Sequence, residues 1–161
     1  MHRSEVQHTM KLAEALILRA DCQKRMEQLR ARLTRSAKVQ EGEEPPENPQ
    51  ALMSELDAGV QELEDLIKKI NKTNSLTTLE DGVTLSDALA KRDALALKRG
   101  IYKSLVDATA FRQDRYTRSE VKFFSTIDVG ELQTQMDRMS RQYRELDTKI
   151  QEANWNTEFI D

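Results

Sequence analysis

The segment between residues 112 and 122 carries the side chains of this sequence that are best suited to bind an anion. Arginines recur in it at every third position, and each guanidinium presents paired N–H donors that match the oxygens of a phosphate or a carboxylate. The candidate ligand-binding residues are Arg112, Arg115, Tyr116, Arg118, Glu120 and Lys122. Acidic residues in the same segment also give these arginines a structural role, in which they clamp the loop and cap the ends of helices. We favour the structural role and keep the binding site as the alternative.

Carboxylates and the single cysteine are the other groups whose chemistry needs an explanation. Glu14, Asp21, Glu120 and Asp147 are candidates for holding a divalent cation between helices, because such cations prefer carboxylate oxygens. Their spacing alone does not make a metal site specific, and solvated helix faces explain most of them, so the metal is left unassigned. Cys22 falls on an apolar helical row and has no histidine near it in the sequence, so we predict a buried thiol rather than a reactive one.

No standard catalytic pattern occurs in the chain. The sequence contains no glycine-rich phosphate loop, no Glu-x-x-His pair, no Cys-x-x-Cys pair and no serine nucleophile motif. A net charge of −3 gives no general attraction to nucleic acids. No apolar run approaches the roughly 20 residues that a membrane helix needs. We therefore predict a cytoplasmic protein that is not an enzyme, with no cofactor and no nucleic-acid or membrane partner.

Apolar periodicity predicts four long helices, over residues 10–39, 48–74, 86–111 and 128–154. The apolar residues of the last helix recur at alternating steps of four and three, a spacing that keeps one row facing a partner helix, as in coiled coils. This row consists of Leu132, Met136, Met139, Tyr143, Leu146, Ile150 and Ala153. On the third helix, the residues predicted to face inward are Leu89, Ala96, Ile101, Leu105 and Ala108. Residues 10–161 are expected to form a single helical domain, preceded by an extension or disordered segment over residues 1–9.

Opposite charges predict that the first two helices form an antiparallel hairpin. Residues 24–38 contain six basic residues and one acid, whereas residues 39–67 contain nine acids and no lysine or arginine. Folding the second helix back along the first places these stretches side by side, which disfavours incorrect registers. Gly42 and two prolines interrupt the helical pattern between the helices, and Asn48 and Pro49 are predicted to cap and begin the second helix.

A small antiparallel β element is predicted at one end of the bundle. Residues 77–85 place Asp81 and Gly82 between β-prone residues, which is a strong hairpin signal. Residues 121–127, which include two adjacent phenylalanines, have the composition of a third strand. The expectation is therefore a mainly α fold of antiparallel, coiled-coil-like helical hairpins with this β element attached.

Four stretches of the chain resemble segments of a known bacterial family. They are residues 10–21 (MKLAEALILRAD), 37–45 (AKVQEGEEP), 112–128 (RQDRYTRSEVKFFSTID) and 144–155 (RELDTKIQEANW). The family is often labelled septicolysin-like, and the resemblance implies a helical bacterial protein without an established activity. The label suggests a cytolysin, but we do not predict that activity, because amphipathic helices with charged outer faces do not suit the interior of a bilayer.

The apolar faces of the helices predict self-association. Leu16, Ile17 and Leu18 are adjacent on the first helix, so a single neighbouring helix does not cover all three. The third helix carries two apolar rows. A large exposed apolar patch on a small monomer usually marks an interface, and a two-fold dimer is the commonest way to bury it, with higher oligomers open. Trp155 is predicted to pin the C-terminal tail onto the bundle or onto a partner. We therefore predict a non-enzymatic, self-associating structural or interaction protein. The alternative is a ligand-binding, metal-binding or catalytic site at a subunit junction built from residues 112–122.

Overall fold

The computed structural model describes residues 9–110 and 122–160, and these residues form four α-helices in succession. The helices are α1 (Leu12–Ser36), α2 (Pro49–Leu76), α3 (Leu85–Thr109) and α4 (Val129–Asn156). Each end lies within three residues of the predicted position, and the mainly helical fold is confirmed. None of the four helices, over the stretches that the structure describes, has the length and apolar character needed to span a membrane.

The described residues belong to two compact units. The first contains residues 9–85 and 151–160, and the second contains residues 86–110 and 122–150. Helices α1 and α2 lie wholly in the first unit, whereas most of α3 and α4 forms the second.

Helices α1 and α2 pack antiparallel along an aliphatic core. Its buried residues include Leu12, Leu29, Leu52 and Ile70. Cys22 is buried as predicted, and its Sγ donates a hydrogen bond of 3.6 Å to the carbonyl oxygen of Gly59. Because glycine has no side chain, the two helices approach closely at this point.

The predicted charge complementarity between α1 and α2 is confirmed. Arg25 forms an ion pair with Glu62 at 2.5 Å, and Arg32 contacts both Glu47 (2.6 Å) and Glu55 (3.4 Å). The basic half of the hairpin therefore finds its partners on the acidic half of the same chain.

The ends of the helices are capped where the sequence places capping residues. Asn48 Oδ1 accepts hydrogen bonds from the backbone N–H groups of Gln50 and Ala51, and Pro49 follows as the first helical residue. Asp128 Oδ1 accepts a hydrogen bond from the N–H of Glu131 at 3.0 Å and so caps α4. Both predicted starts are thus explained by local side-chain chemistry.

The two ends of the described chain are joined by backbone hydrogen bonds. The N–H of Phe159 donates to the carbonyl of Met10 (2.8 Å), and the N–H of Leu12 donates to the carbonyl of Thr157 (2.9 Å). Phe159 is buried, whereas Trp155 is 56% exposed. The tail is therefore held on the first unit by Phe159 and by backbone pairing, and Trp155 does not pin it there.

The predicted β element is not confirmed, and the described residues contain no sheet. Residues 77–85 turn through Gly82, whose φ is +81°, with one isolated antiparallel bridge between Thr78 and Thr84. Residues 122–127 form no strand, and Val121 lies outside the described residues. Phe123 and Phe124 are 70% and 79% exposed, so this segment has no buried face against which a third strand would pack.

In the second unit, α3 and α4 run antiparallel. Arg92 on α3 donates a hydrogen bond to Asp147 on α4. About two turns later on α3, Arg99 donates to Ser140, which lies about two turns earlier on α4. The predicted row on α4 is buried or half-buried throughout, which confirms its inward orientation. On α3, however, Ile101, Leu105 and Ala108 are exposed, and the prediction that they face inward is wrong.

Candidate functional site

The predicted ligand-binding segment falls almost entirely outside the described residues. This applies to Arg112, Arg115, Tyr116, Arg118 and Glu120. Lys122 is described, and it is exposed beside the equally exposed Phe123. The site drawn from this segment therefore stays a prediction.

The carboxylates proposed for a divalent cation do not gather into a site where they are described. Glu14 accepts a hydrogen bond of 2.6 Å from the backbone N–H of Lys11 at the start of α1, and Asp147 pairs with Arg92. Asp21 is exposed on α1, and Glu120 lies beyond the described range. Over residues 9–110 and 122–160, no group of three His, Cys, Asp or Glu side chains is arranged to hold a metal ion.

Cys22 borders a shallow, open cavity of about 390 Å³ on the surface of the α1–α2 hairpin. The guanidinium of Arg25 lies 3.7 Å from its Sγ and also pairs with Glu62. Because the thiol is buried and donates to Gly59, it faces the helix interface rather than the cavity mouth. This arrangement supports the structural interpretation of Cys22 made from the sequence.

The inner face of α3 contains two arginines that sequence reasoning missed. Arg92 donates a hydrogen bond of 2.8 Å to Asp147, while its Nε is buried without a hydrogen-bond partner. Burial alone lowers the pKa of Arg92, but the hydrogen bond to Asp147 and the charges of Tyr143, Asp147 and Asp93 outweigh it, so the pKa lies above its ordinary value. Arg92 is therefore a permanent cation that α4 holds in place.

Arg99 occupies the next equivalent position of the inner face. Its guanidinium carbon lies 5.4 Å from the ring centroid of Tyr143, and its Nη1 donates to the Ser140 hydroxyl at 3.3 Å. Each arginine thus donates one hydrogen bond to α4, and the pair fastens the two helices together. The sequence signal for them is their spacing of seven residues, which places two arginines on the same side of the helix.

The buried and half-buried residues on the side of α3 that carries Arg92 and Arg99 follow a regular row, which we call the inner row. It consists of Ala88, Arg92, Leu95, Arg99, Tyr102 and Val106. All of them are buried or half-buried, and their steps alternate between four and three. This is the row that keeps one side of a helix against a neighbour.

A second row of α3, which we call the outer row, repeats the same steps two residues later. It consists of Ala90, Ala94, Leu97, Ile101, Ser104 and Ala108, all of them exposed. Two residues correspond to about 200° around a helix, so the outer row lies opposite the inner row. Leu97 is 67% exposed and Ile101 52%, and Leu105 beside them is 38% exposed. The side of α3 that faces away from α4 is therefore its more apolar side.

Fold and surface together define a helical protein built from two-helix hairpins, with a helix that is apolar on two opposite sides. The chain belongs to DUF6847, a family of unknown function, whose model matches residues 19–159. The structure is similar to the crystal structure of a functionally unknown conserved protein from Corynebacterium diphtheriae. The two chains are 45% identical with a TM-score of 0.86, and the match covers 95% of this chain and 100% of that one. No curated protein matches the sequence.

These comparisons correct the resemblance drawn from the sequence. The matching family and the similar crystal structure both carry descriptions of unknown function, and nothing in them indicates a septicolysin-like protein. The assignment to a septicolysin-like family is therefore wrong. Two of the four stretches that suggested it, residues 10–21 and 144–155, fall on α1 and α4, and the alternation of apolar and charged residues on such amphipathic helices occurs in many unrelated proteins.

Proposed function

We propose that this protein is a non-enzymatic structural or interaction protein that self-associates through the outer row of α3. The observation that carries the proposal is the exposure of Leu97 and Ile101 in a continuous row opposite the inner row. A helix that is apolar on one side needs one neighbour, and a helix that is apolar on two opposite sides needs two. Because α4 covers only the inner row, the outer row is available to a second copy.

The composition of the outer row suits the approach of another helix. Leu97 and Ile101 provide the large apolar side chains, and Ala90, Ala94 and Ala108 above and below them are small enough to let a second backbone come near. Burying a leucine or isoleucine stabilises an interface by roughly 1.5–3 kcal/mol, so symmetric burial of two such residues from each copy is a substantial driving force.

The exposed apolar residues of α1 are less well arranged for this purpose. On α1, Ile17 and Leu18 are exposed, but the next exposed positions on the same side are Asp21 and Lys24. Isolated apolar residues of this kind are normal on a protein surface. The outer row of α3 is therefore the preferred surface, rather than the cluster at Leu16, Ile17 and Leu18 on the first helix.

Light scattering coupled to size-exclusion chromatography tests this proposal. We expect the wild-type protein to have twice the chain mass of 18.6 kDa at micromolar concentration. Leu97→Glu places a charge in the contact and should raise the dissociation constant at least about tenfold, since the apolar contribution of one leucine is lost from each copy. A wild-type monomer at 100 µM would refute self-association.

A matched control separates the outer row from exposed leucines in general. Leu76, the last residue of α2, is 66% exposed, nearly the same as Leu97 at 67%. Leu76→Glu should leave the mass at that of the wild type. If both variants dissociate equally, or neither does, the outer row is not the interface.

A further inference from the structure

We infer that two copies of α3 pair in parallel and in register along their outer rows, about a two-fold axis that runs along the helices. This inference rests on the proposed self-association and specifies its geometry. The evidence is the charge pattern on the two borders of the outer row, which brings opposite charges together when a second copy of the same helix lies parallel and in register.

The two borders of the outer row carry opposite charges. Asp93 and Asp107 lie immediately before the row residues Ala94 and Ala108. Lys91 and Lys98 lie immediately after the row residues Ala90 and Leu97, on the other border. All four charged residues are exposed. The row is therefore apolar along its centre, acidic on one side and basic on the other.

In a parallel pair of helices, a border residue that comes directly before a row residue, as Asp93 comes before Ala94, faces the residue five positions later on the partner. Asp93 of one copy then faces Lys98 of the other, and the two-fold axis repeats the contact. In the single helix, Asp93 lies 3.6 Å from Arg92 Nε and its side chain stays 75% exposed, while Lys98 Nζ lies 5.5 Å from the ring centroid of Tyr102. Both side chains are exposed, and the contact between Asp93 and Lys98 of the partner would replace these contacts within the chain.

The antiparallel arrangement of the same rows brings like charges together. When Ala94 faces Ser104 and Leu97 faces Ile101, the border positions place Asp93 against Asp107 of the other copy and Lys98 against its counterpart. Like charges at these positions destabilise a helix pair and select the other orientation. The charges therefore favour the parallel pair.

Cysteine cross-linking distinguishes the two orientations. Ala94→Cys and Ser104→Cys are each made in a Cys22→Ser background, mixed, and oxidised with oxidised glutathione. In the parallel pair each position faces itself within disulfide range, so the products join 94 to 94 and 104 to 104. In the antiparallel pair, mass spectrometry would find position 94 joined to position 104, and this product would overturn the inference. Lys103→Cys, away from the row, is the control and should cross-link at least about tenfold more slowly.

Charge reversal gives a second, independent readout. For the parallel pair, Asp93→Lys places lysine against Lys98 and should weaken the dimer by about fivefold to tenfold, as expected for two exposed ion pairs that become repulsive. The double variant Asp93→Lys with Lys98→Asp should restore the wild-type affinity. In the antiparallel pair, the lysine introduced by Asp93→Lys would instead face Asp107 of the other copy and strengthen the dimer.

The outcomes separate this inference from the proposal on which it rests. A monomeric wild-type protein refutes self-association itself. Suppose that Leu97→Glu dissociates the dimer, but that position 94 links to position 104 and Asp93→Lys tightens binding. This result leaves the proposed function intact and overturns only the parallel orientation. A dimer that links at neither position places the contact elsewhere and overturns the inference.

Discussion

The α1–α2 hairpin and the α3–α4 hairpin differ in the residues that join their helices. In the first, the aliphatic residues Leu29 and Ile70 are buried between the helices and the charged residues pair outside. In the second, Arg92 and Arg99 lie between the helices, while Leu97 and Ile101 lie outside. The comparison teaches that aliphatic residues form the contact between α1 and α2, whereas arginines contribute to the contact between α3 and α4 and leave Leu97 and Ile101 exposed, on the surface for which we propose self-association.

The largest expected effect comes from truncating the core of the first hairpin. Leu29→Ala removes a side chain that is 1% exposed and should lower the free energy of unfolding by about 2–5 kcal/mol, because a cavity remains. Leu97→Ala should change the free energy of unfolding by no more than about 0.5 kcal/mol at protein concentrations below the dissociation constant of the dimer, since the side chain is exposed in the single chain. Urea denaturation followed by circular dichroism measures both, and equal losses would remove the contrast between the hairpins.

The C-terminal tail provides a second contrast between a buried and an exposed aromatic residue. Phe159→Ala should destabilise the protein by about 3 kcal/mol, because the ring is buried and the backbone bonds to Met10 and Leu12 depend on its position. Trp155→Ala, four residues earlier, should cost no more than about 0.5 kcal/mol. Thermal unfolding reports both values, and a larger loss for Trp155→Ala would show that the tail is anchored differently.

The arginines between α3 and α4 are expected to have a purely structural role. Arg92→Met should destabilise the protein by about 1–3 kcal/mol, because Asp147 loses its charged partner in a half-buried position. Arg92→Met combined with Asp147→Leu should recover most of this loss, since an apolar pair of similar volume fits the same space. If the double variant stays as unstable as the single one, the arginine has a role beyond fastening the helices.

The smallest expected effect concerns the ion pair at the start of α2 and its dependence on pH. The hydrogen bond from Arg32 lowers the pKa of Glu47 below its ordinary value of 4.5. A carboxylate with a lowered pKa stabilises the folded state above the ordinary pKa, and this contribution is lost as the pH falls through the folded value. The difference in melting temperature between wild type and Glu47→Gln should therefore be present at pH 7 and vanish in acid. A difference that grows in acid would contradict the pairing.

Local chemistry explains which parts of the fold followed from the sequence. Asn48 and Pro49 predicted the start of α2, and the complementary charges of α1 and α2 predicted their pairing. These signals act between neighbours in the chain or along a whole helix, so a sequence reveals them.

The face of α3 and the β element did not follow, because tertiary contacts decide them. Ile101 and Leu105 suggested an inward face, but α4 presents Tyr143 and Asp147, which bind arginine, and so selects the other side of α3. Phe123 and Phe124 have high strand propensity, yet no neighbouring strand is described for them to join. The candidate site at 112–122 rested on composition alone, which does not specify where side chains converge.

Radical footprinting with mass spectrometry tests most directly whether a second molecule covers the outer row of α3. Ile101 on the outer row and Ile17 on α1 are the same residue type, and both are 52% exposed in the single chain. We expect Ile101 to be labelled several-fold more slowly than Ile17 at 100 µM wild-type protein, and the two to be labelled alike in the Leu97→Glu variant. Equal labelling of Ile101 and Ile17 in the wild-type protein at this concentration would contradict the account.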